Sequence, residues 1–307
     1  MRTMELHQAT AFAPSSDHVP DPWRQNFDLH CHSRRSDGTL SPTELVERAH
    51  RNGVSVLALT DHDELSGQAE AASAAKAVGM GYVPGVEVSV TWAGETIHIV
   101  GLRVNPLDDN LLGGLQRTRD GRDSRAQEMG EGLAKVGIPG AYEGALKFVG
   151  NPKLISRTHF ARFLVESGVC NDVREVFTKY LIEGKPGFVG HRWAKLSEAV
   201  SWICGAGGTA VLAHPGRYRL NDTARWALYE EFKQAGGEAI EVVCGSHTKD
   251  QYREFAKLAL KLGLKASRGS DFHSPDESHT DLGQLPPLPD SVVPVWYDWP
   301  EAEHFSG

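Results

Sequence analysis

Fourteen histidines occur among 307 residues, and several stand beside carboxylates in short, widely separated stretches. The first is Asp28-Leu29-His30-Cys31-His32-Ser33, with Asp37 just beyond it. Side chains alternate across an extended segment, so His30 and His32 share one face while Leu29 and Cys31 turn to the other. Two imidazoles so placed can hold one divalent ion. A His-x-His pair also arises by chance in a histidine-rich chain, so the pair alone decides nothing. Further candidates follow at Asp61-His62, Glu87, His98, His214, Asp271 and His273. Nitrogen and oxygen donors without a thiolate suit Mn²⁺, Zn²⁺ or Fe. They outnumber what one ion can use, and with bridging carboxylates they fit two or three ions per chain. Clustered ions stabilise both the attacking and the leaving oxygen of a phosphoryl displacement and lower the pKa of bound water.

The elements that must position these groups alternate between strand and helix. A strand is expected over Asn26–Cys31, and then Ser41-Pro42-Thr43-Glu44 forms a capping box that opens a helix, stopped by Gly53. The apolar run Val54–Thr60 reads as a buried parallel strand ending in Asp61-His62-Asp63. Asp63 is expected to cap the helix that follows. A strand over Tyr82–Val86 delivers Glu87, and Thr96–Gly101 carries His98 within it. From residue 106 to 186 the signals are helical: one long helix over Leu111–Val136 interrupted by glycines, then helices near Thr158–Ser167 and Asn171–Glu183. Strands then return at Thr209–Ala213, Ala239–Val243 and Leu264–Arg268, leading to His214, Ser246-His247 and Asp271-Phe272-His273. The pattern predicts an α/β fold with a parallel sheet. Sites in such folds lie at the C-terminal strand ends. Every candidate except His98 obeys that rule, and His98 needs a bend or an early strand end.

The organisation expected is an N-terminal extension over residues 1–24, a barrel from 25–105 and 187–285, a helical insertion over 106–186 and a tail from 286. A formal net charge of −8 argues against coating long duplex nucleic acid. No stretch reaches a membrane span. Four cysteines without a C-x-x-C pair suggest a reducing compartment and small buried side chains, and no signal-peptide core is evident. The expectation is a soluble cytoplasmic protein.

In order and spacing, D-L-H-C-H-S, T-D-H-D, G-V-E-V-S, H-I-V-G, L-A-H-P and G-S-D-F-H resemble the motifs of the PHP (polymerase and histidinol phosphatase) superfamily. Residues 26–285 look closest to its branch of 3′,5′-nucleoside bisphosphate phosphatases and enzymes that trim short 5′-phosphorylated RNA. The resemblance implies a distorted (βα)7 barrel with a trinuclear metal site, manganese foremost. It implies that His30, His32, Glu87 and Asp271 hold one ion. Glu87 would bridge to a second ion with His98 and His214, and Asp37, His62 and His273 would hold a third. Asp37, His62 or Asp61 would assist the leaving oxygen, and Asp61 could instead orient an imidazole or cap a strand end.

The same branch uses its insertion to grip a substrate phosphate. Arg119, Arg122 and Arg125 recur every three residues and would form one basic helix face, the bland alternative being a solvated face balanced by Asp120 and Asp123. Guanidinium groups suit bidentate phosphate contact, which favours Arg122 and Arg125. Arg157 and His159 open a helix, where an anion is stabilised, and are candidates for a second phosphate. Lys185 is a weaker candidate, and Arg217 could face pocket or solvent. Ser246 and His247 sit at the rim of the site. The activity implied is hydrolysis of the 3′-phosphate of nucleoside 3′,5′-bisphosphates. The alternative is a phosphodiesterase on short 5′-phosphorylated oligonucleotides, ahead of histidinol phosphatase and a metal-binding module without turnover.

Overall fold

A computed structural model describes residues 25–303. The expected extension over residues 1–24 and His304 lie outside the described residues. Seven strands form one sheet in sequence order: β1 (Phe27–Asp28), β2 (Val56–Leu59), β3 (Gly81–Trp92), β4 (Glu95–Leu102), β5 (Thr209–Leu212), β6 (Ala239–Cys244) and β7 (Lys265–Gly269). The sheet closes into a nearly complete barrel. The Leu29 N–H donates to the Arg268 carbonyl at 3.0 Å, and Cys31 pairs with Phe272 just past β7. Gly269 permits this closure, since a Cβ there would come within 2.2 Å of the His30 Cβ.

The sheet is not wholly parallel, contrary to the alternating pattern. β4 runs antiparallel to both β3 and β5. The cause is the two-residue turn Ala93-Gly94, with φ of 48° and 86°. Two left-handed residues make the tight hairpin turn that matches strand twist, and so short a loop can join only antiparallel neighbours. β3 is also longer than expected, so Glu87 lies within the strand rather than past its end. The reversal resolves the position of His98. It is the fourth residue of an inverted strand, so it lies at the barrel end where the parallel strands finish, without any bend.

Helices cover the outside of the barrel. α1 (Pro42–Arg51) opens with the expected Ser41/Glu44 capping box, and α2 (Gln68–Val78) follows β2. The single helix expected over Leu111–Val136 is two helices, α3 (Asp109–Arg119) and α4 (Arg122–Ala134). Gly121 at φ 86° breaks the helix, so Arg119 and Arg122 do not share a continuous face. α3 packs Leu111 and Leu115 into the barrel core. From α4 onward, with α5 (Ala141–Leu146), α6 (Arg157–Glu166) and α7 (Val173–Val176), a separate apolar cluster forms around Met129, Leu133, Phe160 and Leu164. One π-helical turn, Phe177–Leu181, follows α7. α8 (Leu196–Gly205), α9 (Asp222–Gln234) and α10 (Lys249–Leu262) complete the outer layer.

The tail is part of the barrel. Val293 and Val295 bond the backbone of Ala266 at 2.8 Å each, and Trp296 stacks on Phe27 with centroids 4.5 Å apart. Such a pair contributes about 0.5–1.5 kcal/mol beyond its buried area. It seals the end where the strands begin and leaves the opposite end for the site. Cys31, Cys170 and Cys244 are buried as expected, but Cys204 is exposed near the end of α8.

Candidate metal centre and substrate cavity

Barrel closure sets the His30 and His32 segment beside Asp271, through the Asp271 N–H to His30 carbonyl bond (2.8 Å) and the His32 N–H to Phe272 carbonyl bond (2.8 Å). His30 Nε2 then lies 3.2 Å from Glu87 Oε2 and 3.4 Å from Asp271 Oδ1, and His32 Nε2 lies 3.2 Å from each. A tetrahedral ion at 2.0–2.1 Å from its ligands separates them by about 3.3–3.4 Å, so this spacing fits one divalent ion. His30 Nε2, His32 Nε2 and Glu87 Oε2 are buried without a hydrogen-bond partner. Burying such atoms unpaired costs roughly 2–7 kcal/mol each, which ligation offsets. The other Glu87 oxygen faces His98 Nδ1 and His214 Nε2, each at 2.9 Å, with those nitrogens 3.4 Å apart. Asp37 Oδ1 faces His273 Nε2 at 3.4 Å and His62 Nε2 at 3.9 Å, while His62 Nδ1 is 3.0 Å from Glu87 Oε2. All nine residues expected as ligands are therefore drawn into one cluster, with Glu87 at its centre. His62 stands between Asp37 and Glu87, so its side chain serves either neighbouring group.

Other buried side chains hold these ligands in place. Glu241 was not among the expected residues, yet its Oε1 accepts from His30 Nδ1 at 2.7 Å and its Oε2 from the His214 backbone N–H at 2.5 Å. This fixes the His30 tautomer with Nε2 toward Glu87 and Asp271. A carboxylate inside the otherwise apolar β6 was the one signal available. Asp61 does not orient an imidazole or reach the cavity. It accepts from the Ser33 N–H and hydroxyl and the Ser36 hydroxyl, at 2.7–2.8 Å, and so shapes the loop that carries Asp37. The second Asp37 oxygen accepts from Thr158 (3.1 Å) and Ser156 (3.3 Å) at the start of α6. Asp63 caps no helix. Its carboxylate accepts from the Ser89 N–H and hydroxyl at 2.8 Å and pairs with Arg122. Asp63, His214 and Asp271 all have left-handed backbone, with φ of 51°, 26° and 55°. Strain of this kind persists only where the surroundings over-determine it.

Burial pushes the Glu87, Asp37 and Asp271 carboxyls up, but the surrounding imidazoles outweigh it and hold all three well below the usual carboxylate range. Divalent cations would hold them ionised in the same way. Burial, with Arg217 beside it, lowers His214 to about 4, which keeps its imidazole neutral and able to ligate. Burial raises the Asp61 carboxyl to about 6, against the lowering effect of its Ser36 and Ser33 donors and of His32.

Above the cluster, one cavity is walled by Arg122, Arg125, Arg157 and Arg217. The Arg122 guanidinium lies 4.4 Å over the Trp193 ring and is fixed by Asp63, while Arg125 is anchored by the Val189 carbonyl at 2.9 Å. Burial and the nearby Arg157 and Arg122 lower Arg125 to about 9. Crowding cations with few carboxylate partners is stabilised by a bound anion. Arg217 is half exposed and reaches Asp271 Oδ2 at 2.6 Å. Asp37 and His62 also line the cavity.

Several expected contacts lie elsewhere. Arg119 turns to the Asp63 carbonyl and Gln116, outside the cavity. His159 is wholly buried, and its Nδ1 accepts from the Ser156 N–H at 3.0 Å as part of the α6 cap. His247 is buried too. Its Nε2 accepts from the Gly216 N–H at 3.2 Å and its Nδ1 donates to the Val242 carbonyl, so it supports the loop carrying Arg217. Ser246 lines a neighbouring cleft rather than the cavity. Lys185 is exposed and does not line it.

The PHP domain family model matches residues 28–244. The chain is 52% identical over 271 residues to a 3′,5′-nucleoside bisphosphate phosphatase of Chromobacterium violaceum, covering 88% of this chain and 95% of the relative. It is 40% identical over 282 residues to the 5′-3′ exoribonuclease Rnm of Escherichia coli, covering 91% and 95%. Among solved structures, a C. violaceum amidohydrolase with bound sulfate and no metal superposes with a TM-score of 0.86 at 52% identity, covering 88% of this chain and 94% of that one. A Bifidobacterium adolescentis protein described as a metal-dependent phosphoesterase gives 0.75 at 26% identity, covering 89% and 93%. Among the described residues, no helix is long and apolar enough to cross a membrane. With the barrel, the ligand cluster and these relatives in agreement, the chain belongs to the PHP domain family of metal-dependent phosphoesterases.

Proposed function

We propose that the protein removes the 3′-phosphate from nucleoside 3′,5′-bisphosphates and leaves 5′-mononucleotides. The carrying observation is that seven of the nine candidate ligands (Asp37, His62, Glu87, His98, His214, Asp271 and His273) and the guanidinium groups of Arg122, Arg125 and Arg157 line one cavity. A substrate with two phosphates has a use for both. Three overlapping ligand groups, sharing His32, His62 and Glu87, support a site for three ions. The all-nitrogen-and-oxygen donor set suits manganese, zinc or iron, and manganese is the ion proposed. When bound, such ions neutralise phosphoryl oxygens and lower the pKa of a water.

The chain's own residues supply position and charge. Arg122 and Arg125, pinned by Asp63, Trp193 and the Val189 carbonyl, clamp the 5′-phosphate. Arg157, the first residue of α6, adds charge where free N–H groups already favour an anion. This sets the distance from the distal phosphate to the ions and favours the phosphate carried on the 3′-oxygen. Asp37 and His62 line the cavity and would hold, with His273, an ion that could stabilise the charge on that leaving oxygen. The working compartment proposed is the cytoplasm.

The test is a side-by-side rate comparison of adenosine 3′,5′-bisphosphate, a short 5′-phosphorylated RNA and histidinol phosphate. The bisphosphate should have the highest kcat/KM. Preference for histidinol phosphate would overturn the proposal.

A further inference from the structure

Three consecutive residues at the start of α6 serve two sites at once. Arg157 lines the arginine cavity, and the Ser156 and Thr158 hydroxyls on either side of it both donate to Asp37 Oδ2, at 3.3 and 3.1 Å. The Ser156 hydroxyl also lies 3.2 Å from His159 Nδ1. The Thr158 hydroxyl has no other partner among the described residues, so Thr158 is the firmer donor. The opposite Asp37 oxygen, Oδ1, is buried without a hydrogen-bond partner and faces His273 and His62. Rotation about the last bond of an aspartate is soft, with broad wells. A donor on Oδ2 therefore decides where Oδ1 points, and partners of this kind govern a ligand's affinity for its ion.

The helix that carries these residues packs its apolar side away from the barrel core. Phe160, Ala161 and Leu164 of α6 belong to the separate cluster of the insertion. α6 meets the barrel loops through polar groups: the two hydroxyls on Asp37, and Arg162 on Glu277 with two bonds of 2.7 Å. Among the described residues nothing accepts from the Arg157 guanidinium, which lies 5.8 Å from the centre of the Phe177 ring. Burial and the nearby Arg217 and Arg122 work against its charge. An anion in the cavity supplies the missing partner, and in doing so fixes the turn that holds the hydroxyls on Asp37.

From this shared turn we infer that the start of α6 couples the two sites. A phosphate gripped at Arg157 tightens ion binding by the group of Asp37, His62 and His273, and an ion held there tightens phosphate binding by the same factor. Thr158 is the positioning residue of the coupling. The inference rests on the phosphatase reading, which puts a phosphate in this cavity, and deepens it: the ligand group at Asp37 is firmly set when substrate is in place. Couplings between sites are typically roughly 5–150-fold. Direct attraction between phosphate and ion adds to the effect, but that part does not depend on the Thr158 hydroxyl.

The test reads Mn²⁺ affinity rather than turnover. Metal-stripped protein is titrated with Mn²⁺, the free ion being followed by electron paramagnetic resonance, with and without saturating adenosine 5′-monophosphate. Calorimetry measures binding of the nucleotide itself. In the wild type the nucleotide should raise affinity for the most weakly held ion by about fivefold or more. Thr158→Val keeps the shape and loses the donor, and should cut that gain to about twofold or less. Thr158→Ala repeats the measurement should the valine variant fail to fold. Thr158→Ser keeps the hydroxyl and should restore the gain. Equal gains in the wild type and Thr158→Val, or a serine variant that restores nothing, would overturn the inference. So would a wild type that binds the nucleotide with no gain, and that result would leave the phosphate site standing. Failure of the nucleotide to bind at all would remove both.

Discussion

Replacing Glu241 tests the architecture of the metal centre through a residue that touches neither ion nor substrate. Its two oxygens receive two donors, His30 Nδ1 at 2.7 Å and the His214 backbone N–H at 2.5 Å, with the side chain wholly buried. Glu241→Gln keeps the volume but offers one acceptor oxygen and one NH₂. Whichever way the amide turns, one donor faces another donor. At least one hydrogen bond to a charged acceptor is lost, worth about 1.5–3 kcal/mol. Either loss reaches an ion ligand, by freeing the His30 ring or by shifting the strained backbone of His214. The expected result is a fall in metal affinity of roughly ten- to a hundredfold. Chelator competition at a fixed free-ion concentration reads it, with circular dichroism confirming the fold. An unchanged affinity would refute the claim that this carboxylate fixes the ligand geometry.

Other expectations follow from the same site. Glu87→Ala removes the carboxylate shared by the ligand groups, so turnover should fall beyond the roughly 10–100-fold that loss of an outlying partner costs, with the far-ultraviolet spectrum unchanged. Arg125→Ala should weaken kcat/KM for bisphosphate by about tenfold or more, yet leave a simple aryl phosphate nearly unaffected, and equal losses would place Arg125 outside the distal-phosphate site. His159, lowered to about 4 by burial, binds its proton more weakly in the folded chain than in the unfolded one. Its contribution to stability is present above the ordinary histidine range and is lost as pH falls from about 6.5 toward 4, by up to about 3 kcal/mol. Denaturant midpoints of wild type and His159→Asn across that range should converge as the pH drops.

Much of this site was legible in the sequence because each ligand falls in a short local motif, and the apolar runs and caps around those motifs are local too. Ser41/Glu44 and the buried β2 run formed as read. What escaped depends on contacts far apart in the chain. The inverted β4 follows from two turn residues, Ala93 and Gly94, that a strand-and-helix alternation passes over. Glu241 looks like an anomaly in β6 until the chain closes and brings His30 beside it, 211 residues away. His159 and His247 have the residue type of a substrate contact, but burial and backbone bonding make them supports. Arg217 and Trp193 join the cavity only through loop placement, which no periodicity encodes. The tail, silent as sequence, contributes Trp296 to the barrel floor.

Metal-dependent cleavage at the 3′ position is read out by identifying the products. Adenosine 3′,5′-bisphosphate is incubated with metal-stripped protein and with the same protein resupplied with Mn²⁺, and the products are resolved by chromatography and phosphorus NMR. No turnover is expected without the ion, and 5′-adenylate with one equivalent of phosphate should form once it is restored. Release of the 5′-phosphate instead, or equal turnover in the stripped protein, would contradict it.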